Sequence, residues 1–264
     1  MTTYSDLLAS LKRQDDGALS VHIPADWMQG RTTYGGLSAA LCLEAARQLV
    51  DVEVMPIRVA QIAFVGPVGG DVQIRANLLR QSKNTAFVRA EILADSGIST
   101  QAIFTFGRPR QSQLAYSHVP MPEVKPPNAY ENFFRGGLGP GFAKNFEVQL
   151  ARGGIPVSGS EDPTLGLWLR HADSEAPVDA TALLALGDAP PPAALSMLQT
   201  PGPISSMTWY VDFLTEQITT EDGWFFAEHT ADTAQQGYSS QSMTVWNRAG
   251  KPIMLARQMI AVFA

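Results

Sequence analysis

The chain has 264 residues, enough for two domains of ordinary size. A net charge of −6, with no cluster of Lys or Arg, argues against a nucleic-acid partner. The single cysteine, Cys42, excludes an internal disulfide bond. Because Met1–Leu11 lacks the apolar core of a signal peptide, we expect a cytoplasmic protein.

The run Arg31–Val50, RTTYGGLSAALCLEAARQLV, predicts a helix that two glycines introduce. Its few polar residues form one narrow stripe, so other parts of the fold must cover the helix. The helix is too short to span a bilayer, and we expect no membrane partner. Gly35 and Gly36 either make a tight turn or let a ligand or another backbone reach the helix start. Free N–H groups at that point favour a negatively charged oxygen.

Four segments rich in Val, Ile, Phe and Thr follow this helix, with short turn signals between them. They are Pro56–Val65, Asp71–Gln81, Thr85–Ala94 and Ile98–Phe106. This pattern predicts an antiparallel sheet with hairpin connections, the last of them at Asp95-Ser96-Gly97. The sheet must wrap the helix, since nothing else nearby could cover it.

The same pattern returns after a linker that is rich in proline and glycine. A short helix, Val178–Leu186, comes before four more strand-like segments, and two extra strands are expected ahead of it. The four segments are Met207–Leu214, Trp224–Asp232, Tyr238–Trp246 and Pro252–Phe263, and the extra strands are Asn145–Ile155 and Thr164–Arg170. The repeat predicts a duplicated domain, with a first module at 1–108, a linker at 109–141 and a second module at 142–264.

Familiar catalytic signatures are missing from the sequence. The histidines His22, His118, His171 and His229 are scattered without ligand spacing, so no metal site is predicted. The linker matches no phosphate-binding or dinucleotide-binding fingerprint. Any chemistry must therefore use carboxylates, amides, hydroxyls and the N–H groups of helix ends.

The order of these elements resembles the acyl-CoA thioesterase II-like family of double hotdog thioesterases. The resemblance rests on Tyr34-Gly35-Gly36, on Phe64-Val65-Gly66-Pro67, on Leu167-Trp168-Leu169-Arg170 and on the second strand set. It implies an α+β double hotdog fold, in which two tandem modules each wrap an antiparallel sheet around a buried helix. It also implies hydrolysis of acyl-CoA to free fatty acid and CoA, with no cofactor. A homo-oligomer formed through sheet packing is left open.

In that family, an Asp, a Thr or Ser and a Gln of the second module hold and activate the water that attacks the thioester. When the strands are counted back from Gly250, the Gln position falls on Gln258. The hydroxyl position falls on Asp232 or its neighbour Thr233, and the Asp position falls on Thr208. With Asp232, the carboxylate and the hydroxyl are exchanged. The resemblance then implies that Asp232 is the base and that Gln258 and Thr208 fix the water.

The resemblance also implies that the helix start at Gly35, Gly36 and Leu37 faces the thioester carbonyl. The first-module counterparts of the polar trio are apolar, so we predict a single site per chain, composed from both modules. Each member of the trio also has a simpler interpretation. Gln258 could face solvent, Asp232 could be a turn residue and Thr208 an ordinary strand residue.

Three functions stay open at this point. An acyl-CoA thioesterase is the preferred one. A hotdog hydratase or dehydratase usually needs a histidine beside an acid near the helix, and no histidine lies between His22 and His118. The exchanged Asp and Thr favour a third function, a non-catalytic acyl-binding protein.

Overall fold

The structure is a computed structural model, and it describes residues 1–95, 97–134 and 139–263. Ser96 of the predicted hairpin turn, residues 135–138 of the predicted linker and the last residue lie outside that part. The α-helices are α1 (Tyr4–Ala9), α2 (Gly35–Arg47) and α3 (Ala180–Gly187). Short 3-10 turns occupy Ala25–Trp27, Gly141–Asn145 and Ala193–Met197. The strands are β1 (Lys12–Arg13), β2 (Leu19–Ile23), β3 (Met28–Gln29), β4 (Thr32–Thr33), β5 (Ile57–Phe64), β6 (Gly70–Gln81), β7 (Thr85–Ala94), β8 (Gly97–Gly107), β9 (Phe146–Gly153), β10 (Thr164–His171), β11 (Ile204–Phe213), β12 (Phe225–Gln235), β13 (Tyr238–Asn247) and β14 (Pro252–Val262).

One antiparallel sheet of 12 strands runs through both halves of the chain, in the order β1-β2-β6-β7-β8-β5-β11-β14-β13-β12-β10-β9. The two halves meet where β5 pairs with β11, with Ala63 opposite Thr208 and Val59 opposite Asp212. The sheets of the two halves therefore join edge to edge. β2 adds an unpredicted strand to the first half, beside β6.

The first central helix, α2, is buried on nearly every side, as its composition predicts. Its buried residues include all of Gly36–Leu43, and only Glu44 and Arg47 carry charge. Cys42 is fully enclosed, and burial raises the pKa of its thiol, so it packs as an unreactive side chain. The helix ends three residues before the predicted Val50, because the next N–H groups bond to carbonyls only three residues back.

The two central helices, α2 and α3, pack against each other and run in opposite directions. At one end, Arg47 Nη1 donates to Asp179 Oδ2 and to Thr181 Oγ1, both at 2.9 Å. At the other end, the Tyr34 hydroxyl donates to the carbonyl of Ala185 at 2.8 Å. The start of α2 therefore lies beside the end of α3.

The first part of the predicted linker lies over the outer face of the second half. It covers a cluster of aromatic side chains, namely Trp168, Trp224, Phe226 and Trp246. Two of these indoles donate to linker carbonyls, Trp168 Nε1 to Lys125 and Trp246 Nε1 to Val119, each at 2.9 Å. These contacts hold the segment on the sheet, and the division at 108 and 141 stays our proposal.

Candidate active site

Gln258 lies where the sequence places it, on β14, with its side chain turned toward the helices. It is 3% exposed, so it does not face solvent. Its Nε2 donates to Asp188 Oδ1 at 2.8 Å and to Ser206 Oγ at 3.1 Å. An amide, a carboxyl and a hydroxyl group therefore meet at the junction between the two modules.

Asp188 follows α3 directly and lies against the start of α2. The backbone N–H of Gly36 donates to its carboxyl group. A Cβ added at Gly35 would lie 2.7 Å from Asp188 Oδ2, so only glycine lets the carboxylate come this close. A negatively charged oxygen is thus present at the helix start, and it comes from the protein itself.

The Asp188 carboxyl group is poised to exchange a proton near neutral pH. Burial raises its pKa from the usual 3.8 to about 7, although the hydrogen bonds from Gln258 and Gly36 lower it. A carboxylate with this pKa accepts a proton readily at neutral pH, as a general base must.

Ser206 supplies the hydroxyl group, instead of the predicted Thr208. A β-bulge separates the two residues on β11, so Ser206 pairs with Ile260 and faces inward like Gln258. Thr208 pairs with Met259 and is exposed on the outer face of the sheet. The predicted position misses the inward face because the extra residue of the bulge changes the alternation of side chains.

Asp232, the predicted base, also lies on the outer face. Its Oδ2 accepts from Arg257 Nη2 at 2.8 Å and its Oδ1 from Ser242 Oγ at 3.1 Å. Arg257 is the strand neighbour of Gln258, and neighbours on a strand point to opposite faces. The structure therefore brings Asp232 and Gln258 to opposite sides of one sheet, and a second bulge sits at Asp232 itself.

The sequence carried a signal for Asp188 that the strand count does not use. Asp188 comes directly after Gly187 at the end of the second predicted helix. If the two helices are antiparallel, this end must lie beside Gly35 and Gly36. These glycines have no side chain that would keep an oxygen away from the helix start. Ser206 carries no such signal, because a bulge cannot be read from the residues around it.

Residues 1–95, 97–134 and 139–263 contain no group of three or more His, Cys, Asp or Glu side chains placed to hold a metal ion. Within the same ranges, no helix has both the length and the apolar character needed to cross a bilayer.

Solved structures share this architecture over the full chain. A conserved protein of unknown function with a hot dog fold from Alicyclobacillus acidocaldarius is 25% identical, with a TM-score of 0.87, and the match covers 100% of this chain and 99% of that chain. A tesB protein from Mycobacterium avium subs paratuberculosis is 18% identical, with a TM-score of 0.79 and coverage of 99% and 100%. An acyl-CoA thioesterase II from Mycobacterium marinum is 14% identical, with a TM-score of 0.75 and coverage of 96% of both chains. The α+β double hotdog fold is confirmed.

Two family models match the chain, one in each half. No sequence among the curated proteins matches the chain. Residues 23–107 match the model of the acyl-CoA thioesterase N-terminal domain. Residues 118–262, more than half of the chain, match the model of the acyl-CoA thioesterase C-terminal domain. The protein therefore belongs to the acyl-CoA thioesterase family.

Proposed function

We propose that the protein hydrolyses acyl-CoA thioesters, with Asp188 as the general base. The observation that carries this proposal is the meeting of Asp188, Ser206 and Gln258 at the start of α2. Both hydrogen bonds that Gln258 Nε2 donates, at 2.8 and 3.1 Å, end on the other two side chains. Membership of the acyl-CoA thioesterase family supports the substrate class.

The reaction needs a water molecule, a group that takes its proton and donors for the oxyanion. In the proposed mechanism, the Asp188 carboxylate takes a proton from the water molecule while the oxygen of that water bonds to the acyl carbon. The C–S bond then breaks, and CoA leaves with the bonding electron pair as a thiolate. The thiolate takes up the proton that Asp188 received, and this restores the Asp188 carboxylate. The products are a free fatty acid and CoA.

Each of the other groups has a defined part in this mechanism. Ser206 Oγ accepts from Gln258, so its own O–H is left to donate to the water or to the thioester oxygen. Because the Gly36 N–H already donates to Asp188, we assign the oxyanion to the next donor of the helix start, Leu37. The predicted water-holding role of Gln258 becomes one of orienting the carboxylate and the hydroxyl.

The test is the release of free CoA from a panel of acyl-CoAs of increasing chain length. We expect turnover that depends on Asp188, and we expect Ser206→Ala to lower kcat by about tenfold or more. Binding of acyl-CoA without any CoA release would favour the acyl-binding alternative. Addition or removal of water at a double bond, without CoA release, would favour the hydratase alternative.

The proposal has three further parts. They are a cytoplasmic location, a role in fatty acid metabolism and a homo-oligomer formed through sheet packing.

Asp232→Asn is expected to leave kcat within about twofold of the unchanged protein. The Asp232 carboxylate is in an ion pair with Arg257, whose side chain is 61% exposed, and such pairs contribute less than about 1 kcal/mol. Kinetics of CoA release check the expected kcat, and the melting temperature checks that the ion pair contributes little to stability. If this variant lost about a hundredfold in kcat while it stayed folded, the base would have to be assigned to Asp232, as the strand count predicted.

A further inference from the structure

Gln241 lies beside Gln258 on the neighbouring strand, and its side chain bonds to the Gln258 amide. It has no part in the mechanism above. We propose that Gln241 is a positioning residue, which locks the amide of Gln258 in the one orientation that serves Asp188. This inference rests on the proposed roles of Gln258 and Asp188. Gln241 is on β13, directly opposite Gln258 of β14, and is 1% exposed.

A backbone donor fixes the orientation of the Gln241 amide. The N–H of Ala193 points at the Gln241 side chain, and the distance from this nitrogen to Oε1 is 3.0 Å. A backbone N–H can only donate, so the atom that it meets must be the oxygen of the amide. The nitrogen of Gln241 is then on the other side, toward Gln258.

The same argument passes on to Gln258. Gln241 Nε2 lies 2.8 Å from the Gln258 amide and can only donate, so the atom it meets must be Oε1. Gln258 Nε2 must therefore point to Asp188 and Ser206. In the reversed orientation, the Gln258 oxygen would face the Asp188 carboxylate, and two acceptors would lie in contact without a hydrogen between them.

The chain segment that carries Asp188 also supplies the first donor. Ala189 and the three prolines Pro190, Pro191 and Pro192 separate Asp188 from Ala193, and proline has no N–H and a fixed φ. Ala193 begins a 3-10 turn, so its N–H has no acceptor within that turn. The stiff proline segment thus fixes the distance between the donor at one end of the series of hydrogen bonds and the carboxylate at the other.

His229 completes the surroundings of Gln241 from β12. Its Nδ1 lies 3.5 Å from Gln241 Nε2, and burial lowers the pKa of His229 to about 3. The imidazole is therefore neutral, and Nδ1 is available to accept the second N–H of Gln241.

Tyr34 is the other titratable group that faces Asp188. Burial, together with the Asp188 carboxylate, raises the pKa of the Tyr34 phenol, so Tyr34 stays neutral at all working pH values.

The first test measures the pKa of Asp188 by NMR, from the carboxyl carbon of aspartate-labelled protein. Without Gln241 the Gln258 amide is free to turn, and Asp188 loses a hydrogen bond that favours its charged form. We expect Gln241→Met to raise the Asp188 pKa by about one unit. Gln149→Met is the matched control, because Gln149 is another buried glutamine of the second half, and its side chain bonds to Asn128 of the linker. An unchanged Asp188 pKa in Gln241→Met would overturn the proposal.

The second test is a double-mutant cycle on CoA release. Gln241→Met is expected to lower kcat by about tenfold and to change KM by less than about threefold. In a Gln258→Met background, the same substitution should add no more than about a twofold loss, since Gln241 acts only through Gln258. If the two losses multiply, Gln241 acts independently and the proposal fails.

The design separates this inference from the proposed function. If the unchanged protein releases no CoA, the proposed function fails, and the NMR titration still decides the role of Gln241. If Gln241→Met does not fold, Gln241→Asn replaces it. This variant keeps an amide but is one methylene shorter, so it cannot reach both Ala193 and Gln258, and the same rise in the Asp188 pKa is expected.

Discussion

Asp188→Asn should lower kcat for acyl-CoA hydrolysis by a factor on the order of 10² to 10⁴, because it removes the general base. The substitution keeps the shape of the side chain, and the remaining oxygen can still accept the hydrogen bond from Gln258 Nε2. In the unchanged protein, kcat/KM should fall as the pH drops below about 7, where Asp188 takes up a proton.

The stability of the same variant gives an independent check on the Asp188 pKa. The folded protein holds the Asp188 proton up to a pH of about 7, whereas the unfolded chain loses it near 3.8. The unchanged protein must therefore lose stability as the pH rises through this window. We expect Asp188→Asn to be more stable than the unchanged protein at pH 8, by on the order of 3 kcal/mol, and nearly equal to it at pH 4. Denaturation curves of both proteins at pH 4 and pH 8 check this. Equal stability of the two proteins at pH 8 would contradict a raised pKa of Asp188.

Gly36→Val should both destabilise the protein and remove its activity. A Cβ at this position would lie 2.6 Å from the Tyr34 hydroxyl oxygen and 2.7 Å from the carbonyl oxygen of Ala185. The side chain would force α2 away from α3, and overpacking of this kind costs about 1–3 kcal/mol or more. The Gly36 N–H would then no longer reach Asp188. The melting temperature and kcat should therefore fall together.

A matched control exists at Gly66, where an added Cβ would meet no atom within 4 Å. Gly66→Val introduces the same side chain away from the helix pair, and we expect its melting temperature and kcat to stay near those of the unchanged protein. A Gly36→Val protein with full activity and an unchanged melting temperature would show that the start of α2 has no part in the site.

Much of the fold was within reach of the sequence. The composition of α2 requires cover on every side, and the alternating segments on both sides of the linker predict the two strand sets. The spacing of the repeat then leads to two similar modules. These features depend on local patterns of apolar residues, which a single sequence displays directly.

The candidate site could be predicted only in part from the sequence, because two β-bulges change which face of the sheet a side chain occupies. Gln258 is on a stretch of β14 where the count from Gly250 keeps the alternation of faces, so its side chain lies on the inward face, toward Asp188. Thr208 and Asp232 each lie at an irregularity in the register, at Ser206/Thr208 and Ala231/Thr233. One extra residue moves a side chain to the other face of a sheet, and nothing in the local sequence marks it.

The two ends of the antiparallel helix pair have become chemically different. Beside the start of α2, the Asp188 carboxyl group accepts from Gln258 and Gly36, and no cation among the described residues bonds to it. Beside the start of α3, Arg47 bonds to both Glu44 and Asp179 at 2.9 Å. In a dimer of identical modules, two-fold symmetry would repeat every residue at both ends. Joining unlike modules in one chain removes this constraint. In the mechanism that we propose, one end of the helix pair transfers protons, while an ion pair joins the two helices at the other end.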